Sequence, residues 1–242
     1  MTEANADLAA LIERMRPTVL SAERTLPVPS VLRELFPLAG LARGSRLSVR
    51  GTGAASVCMA TVAEASRAGS WIAVVGVGAW GWSAAARAGW ALERSVFVDE
   101  PPVGQWGTVV AALVDAVDVV VVDPSHQVTA IDARRLMARA RERGSVLVDL
   151  AVDDGRRRFR WPTEPDLTLT VESVSWAGLG VGHGVLADRT VRVSADGRRG
   201  AARARRVDVV VEASGALVPG EAASGPDDVA ALRPGRRLRS VG

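Results

Sequence analysis

Residues 46–58 read RLSVRGTGAASVC. RLSVR is a short strand, Gly51-Thr52-Gly53 is a glycine-rich turn, and the small residues over 55–68 predict a helix. A strand, a glycine turn and a helix in that order can cradle a phosphate, and the nucleotide-cleaving form is GxxxxGK[ST]. Only its first glycine is in place. Ser56 stands where the second glycine belongs, Val57 where the lysine belongs, and Cys58 where the magnesium-binding hydroxyl belongs. Lysine bridges the terminal phosphates and the hydroxyl holds magnesium, and valine offers neither charge nor donor. Phosphoryl transfer is therefore expected to be absent or very weak. The turn can still aim backbone N–H groups at an anion. The plainer alternative is a tight strand–helix turn without a ligand.

Working outward, strands and helices alternate. WIAVVGV (71–77), RSVFVD (94–99), DVVVVD (118–123) and SVLVDL (145–150) are apolar strands. Helices are expected at 82–89, 106–116 and 128–143. Such alternation predicts an α/β fold with a mainly parallel sheet and helices on both faces. Beyond residue 150 the period changes to two. Segments 166–174, 185–195 and 204–212 read as antiparallel strands that extend the sheet. A helix over 7–24 and an extended linker precede a core at 30–212. Residues 213–242, rich in Gly, Ala, Pro and Ser, read as a flexible tail.

The chain has 242 residues, one cysteine, two histidines and a net charge of +3. All 30 basic residues are arginine; there is no lysine and no tyrosine. Schiff-base chemistry and a P-loop lysine are thereby excluded, as are a disulfide within the chain and a cysteine-based zinc cluster. The start MTEANADLAALIERMRP lacks the basic and apolar regions of a secretory signal, and no apolar run is long enough to span a membrane. A cytoplasmic protein is expected, with no metal and no resident cofactor beyond a vestigial ATP/Mg site. Residues 131–242 carry 20 arginines against 15 acids, so an acidic partner would dock on the C-terminal half.

A second glycine turn, Gly76-Val77-Gly78-Ala79-Trp80-Gly81, also follows a strand, with Asp99 at the end of the next one. That spacing matches a dinucleotide fingerprint and raises an alternative, an NAD(P)-dependent oxidoreductase using Gly76, Gly78 and Gly81. Bulky Trp80 and Trp82 crowd the place where the phosphates would approach.

The order from Gly40-Leu41-Ala42-Arg43-Gly44-Ser45-Arg46 through the turn at 51–58 resembles the entry to the nucleotide-binding core of the RecA recombinase family. IAVVGVGAWGWSAAARAGWALERSVFV resembles that family's second strand, short helix and third strand. VDVVVVD (117–123) resembles its Walker B strand, with Asp123 at the metal-coordinating position. The resemblance spans about residues 35–212 and is architectural. Val77 stands about where recombinases carry a water-activating glutamate; the connection after Asp123 is short, so the first DNA-binding loop is expected to be absent, and the second is reduced to something like AVDDGRRRFRWP (151–162). The short core, the eroded P-loop, WAGLGVGHGVLADRTVRV (176–193) and the loose tail are similar to the ImuA and ImuA′ branch of bacterial mutagenesis cassettes. That resemblance implies a non-catalytic accessory role in SOS mutagenesis, beside an ImuB-like Y-family polymerase homologue and an error-prone replicative-type polymerase.

Several surfaces are candidates for these contacts. Arg156, Arg157, Arg158 and Arg160 interleave with Phe159 and Trp161, charge for phosphates and rings for bases, as single-stranded DNA binding requires. The alternatives are a simple single-stranded DNA-binding module, or an exposed linker whose rings pack on the core. Helix 128–143 carries Arg134, Arg135, Arg139, Arg141 and Arg143, a row that suits a phosphate backbone, although the solvated outer face of a sheet-covering helix is the commoner role for such a row. For protein partners or self-association, the Leu8, Leu11, Ile12, Met15 stripe and the tail motif with Val229, Leu232, Arg236, Arg237 and Arg239 are the candidates.

Overall fold

The computed structural model describes residues 24–78, 80–123, 127–152, 161–177, 179–180, 183–184, 188–197 and 205–220. The N-terminal stripe, residues 156–160 and the tail motif lie outside them. Two short strands, β1 (Thr25–Leu26) and β2 (Leu41–Ala42), pair antiparallel around a 3-10 turn over Ser30–Leu35. Then come β3 (Arg46–Gly51), α1 (Ala54–Arg67), β4 (Ile72–Val75), α2 (Trp82–Ala88), β5 (Ser95–Val98), α3 (Val103–Ala116), β6 (Val119–Val122), α4 (Ala130–Arg143) and β7 (Val146–Val152). The strands β8 (Leu167–Trp176), β9 (Leu179–Gly180), β10 (His183–Gly184), β11 (Arg189–Gly197), β12 (Arg205–Val211) and β13 (Leu217–Pro219) follow. The main sheet runs β13-β12-β11-β8-β3-β7-β6-β4-β5.

The expected α/β class and mainly parallel sheet are found. β5, β4, β6, β7, β3 and β8 are parallel to their neighbours, and β11, β12 and β13 continue antiparallel. Two readings need correction. Strand 166–174 is not antiparallel to the core: β8 pairs in parallel with β3 and turns antiparallel only toward β11. Its period-two pattern reports a half-covered face, which a parallel strand also shows where no helix lies over it. The stretch read as tail begins with structure, since Leu217–Pro219 form β13 against Val209–Val211.

The sheet has a core on each face. Leu47, Val49, Val148, Leu167 and Leu169 face α1 and the 3-10 turn; Ala73, Val75, Val120, Val122 and Leu147 face α3 and α4. The apolar runs of β4 and β6 are buried on both sides, as central parallel strands require. α4 begins where the Thr129 side chain accepts a hydrogen bond from the Asp132 N–H, a cap worth about 1 kcal/mol, and ends at Gly144 with φ +71°. Arg43 ties β2 to the sheet through Asp118, 3.0 Å away, and Asp118 also accepts from the Trp71 N–H. Among the described residues no helix covers the α3/α4 face of β3 and β8. The chain there returns from β7 through 161–165, and the open face shapes the polar ground described next. Among the described residues no helix is long and apolar enough to cross a membrane.

Candidate functional site

The turn after β3 is shorter than a phosphate loop. Gly51 closes the strand at φ +101°, Thr52 and Gly53 make the turn, and Gly53, at φ +85°, starts α1. Both glycines hold left-handed conformations that a side chain resists. Because α1 starts at Ala54, the three residues aligned with the P-loop positions all sit inside the helix. The N–H groups of Ser56 and Val57 both donate to the Gly53 carbonyl, so they close the first turn instead of pointing at a ligand. Val57 and Cys58 are buried against the sheet, and burial pushes the Cys58 thiol far up from its ordinary pKa. Ser56 is half-buried beside a cavity of about 370 Å³, which Arg87, Trp176, Arg189 and Glu212 also line. The Arg189 guanidinium lies 5.2 Å from the Trp176 ring centre, and burial lowers its pKa.

Asp123 follows β6 at the C-terminal edge of the sheet, the same edge as Gly51. Its N–H donates to the Val75 carbonyl. β7 lies between the two strands, and the pairing places Val122 opposite Asp149 but Gly51 opposite Val152. Asp123 and Gly51 are thus two strand spacings apart, roughly 10 Å, with a two-residue stagger of roughly 7 Å along the strands. The sheet brings them to one edge without juxtaposing them.

The second glycine turn is filled from inside. Trp80, 7% exposed, packs on Trp90 at 5.4 Å and on Trp82 at 6.5 Å between ring centres. The Trp90 indole donates to the Met59 carbonyl of α1, and Val77 is buried. α2 has only seven residues. Asp99 is exposed, and its carboxylate accepts from the Glu100 N–H.

The basic candidates divide. Arg139 and Arg143 on α4 both pair with Asp115 of α3, at 3.0 and 3.2 Å, which spends much of that arginine row within the protein. Arg134 donates to its own helix at Ala130. Trp161 does not stand out as a stacking ring. It is half-buried, 6.1 Å from Trp106 in an edge-on contact and 5.2 Å from the Arg46 guanidinium.

That contact leads to a group of residues the motif reading missed. Arg46, 2% exposed, ion-pairs with Asp149 and donates to the Thr163 carbonyl. The Ser48 hydroxyl donates to the other Asp149 oxygen at 2.9 Å, and Arg50 reaches the Thr168 hydroxyl at 3.3 Å. Burial pushes the Asp149 carboxyl up, against the pull of the Arg46 charge and of the Ser48 hydrogen bond. The signal lay in the alternation of RLSVR: Arg46, Ser48 and Arg50 share one face of β3, opposite the face that α1 covers.

Among solved structures the chain is similar to the crystal structure of the RadB recombinase. The match has 14% identity, covers 82% of this chain and all of that one, and has a TM-score of 0.56. The fold is RecA-like. No curated protein matches the sequence. Residues 34–155, from the end of the 3-10 turn through β7, match the family model described as the MT3502 N-terminal domain. That match takes in half of the polypeptide and the whole parallel sheet except β8, and the chain belongs to this family.

Proposed function

We propose that the protein is a RecA-fold accessory factor without ATPase chemistry, organising an error-prone translesion synthesis complex through protein contacts. Its partners on this reading are an ImuB-like Y-family polymerase homologue and an error-prone replicative-type polymerase, with single-stranded DNA as an auxiliary ligand. The observation that carries the reading is the closed turn at Gly51–Gly53. A RecA-like core is kept, yet the amides that would meet a phosphate bond to Gly53, and an aliphatic residue is turned into the core where a motor needs its lysine.

Two measurements test it. Purified protein with ATP and magnesium should release no phosphate above the blank, and magnesium-dependent turnover would refute the loss of chemistry. Capture of an ImuB-like partner should weaken when residues 1–23 or 221–242 are removed. Both deletions leave β1 and β13 in place. Undiminished capture by both truncated forms would reject the terminal segments as docking elements.

A further inference from the structure

The cavity of about 370 Å³ beside Ser56 lies where α1, α2 and the antiparallel end of the sheet meet. Its size is that of a small-ligand pocket, about 300–1,000 Å³. The floor is apolar, built from Met59 and Ala60 of α1, Ala84 of α2, Val211 of β12 and Leu217 of β13. The turn between β12 and β13 forms one rim. There the Glu212 N–H donates to the Ala216 carbonyl, the Gly215 N–H to the Glu212 carbonyl, and the Ala213 N–H to the Asp188 carboxylate. Gly215, at φ +90°, seats this turn on the end of α2, since a Cβ there would lie 2.8 Å from the Arg87 backbone. Backbone contacts thus hold the pocket open before any guest arrives, which lowers the cost of binding.

The rim also carries charge that solvent and ligand can reach. Arg87 is exposed, Arg189 is half-buried against the Trp176 ring, and Trp176 is itself 44% exposed. Among the described residues neither arginine pairs with a carboxylate. Burial already penalises the Arg189 charge, so an anion beside it is favoured. Glu212 is the one acid in the lining, and its carboxylate accepts from the Ser214 hydroxyl. Asp188 is turned to the Ala213 N–H and does not line the cavity. Two arginines against one carboxylate leave a single positive charge to match. We propose that this cavity binds an apolar monocarboxylate, its acid on Arg189 and Arg87 and its body on the apolar floor beside Trp176. The source is a free acid or the C-terminal residue of a peptide. The site does not depend on the accessory role proposed above.

The test follows the indole N–H signals of the seven tryptophans of the full chain by NMR. Trp176→Phe identifies the Trp176 signal by its loss. Benzoate should shift that signal saturably, with a Kd of about 1–10 mM. At equal ionic strength, benzamide, which lacks the charge, and acetate, which lacks the body, should each bind about tenfold more weakly or worse. Arg189→Gln should weaken benzoate about tenfold, and Arg87→Gln about threefold because solvent screens it more. Glu212→Gln keeps an acceptor for Ser214 and removes the opposing charge, so it should tighten benzoate about threefold. That gain serves as the readout if Arg189→Gln does not fold. N-acetylphenylalanine binding more tightly than benzoate assigns the site to a peptide end, and weaker binding assigns it to a free acid. No saturable shift at Trp176, benzamide binding as well as benzoate, or unchanged affinity in the folded variants would overturn the proposal.

Discussion

Gly51 ends β3 hard against Val171 of β8: a Cβ on Gly51 would lie 2.7 Å from the Val171 carbonyl oxygen. The strand that would open into a phosphate loop is instead sealed along its side by a neighbour that continues past it to Trp176. Backbone meets backbone there, so nothing soft is available to move.

Gly51→Ala should therefore destabilise the protein by about 2–4 kcal/mol. It combines a positive φ with a clash that only a strand shift can relieve. Urea unfolding of parent and variant measures the difference, and a change within about 0.5 kcal/mol would show that β3 and β8 part easily.

Val57→Lys restores the P-loop residue in name only. Val57 is 5% exposed inside the core of α1 and the sheet. The expected outcome is a loss of about 3 kcal/mol or more of stability and no gain of ATP hydrolysis. A stable, ATP-cleaving variant would mean that the turn can reopen around a nucleotide.

Asp149 predicts a pH dependence of defined sign. Its carboxyl is raised in the folded chain, first by burial. Between the ordinary aspartate value and the raised one, the folded chain keeps a proton that the unfolded chain has released. Stability from this group is thus fully present below the ordinary value and falls as pH climbs through the window. Asp149→Asn lacks the titration, so the parent should lose stability relative to that variant as pH rises from strongly acidic toward neutral. Denaturant unfolding across that range decides it, and parallel curves would rule out the shift.

If the arginine-rich connection after β7 contacts single-stranded DNA, replacing Arg156, Arg157 and Arg158 with alanine should weaken binding at low salt. It should also flatten the salt dependence, by about 0.7 in slope for each phosphate that is no longer neutralised. Fluorescence anisotropy with a labelled oligonucleotide reads both. An unchanged slope would place any nucleic-acid contact elsewhere, for example on Arg135 of α4.

Much of the frame was legible in the chain itself. The apolar runs 72–75 and 119–122 read as buried strands because valine-rich stretches bounded by turns have few other uses. The glycines at 51 and 53 announced a turn, which the structure finds at two left-handed positions. The length of that turn was not legible. Spacing aligned with a P-loop motif counts residues and cannot tell loop from first helical turn, and the helix begins at Ala54, early enough to take in Ser56, Val57 and Cys58. Trp161 was equally ambiguous. A ring among arginines suits DNA, but only packing reveals Trp106 against its edge and Arg46 beside it.

The sequence by itself determined the succession of strands and helices, the burial of the central strands, and the lack of any lysine for phosphate chemistry. These follow from local periodicity and from composition, which need no neighbour. Tertiary structure alone decided that β8 lies parallel to β3, that β7 separates Gly51 from Asp123, and that Arg46, Asp149 and Trp161 converge behind the sheet. Arg46 and Asp149 are 103 residues apart in the chain. Strand order is what makes them neighbours, and strand order is fixed by how helices and connections pack across the whole sheet, beyond the reach of any local window.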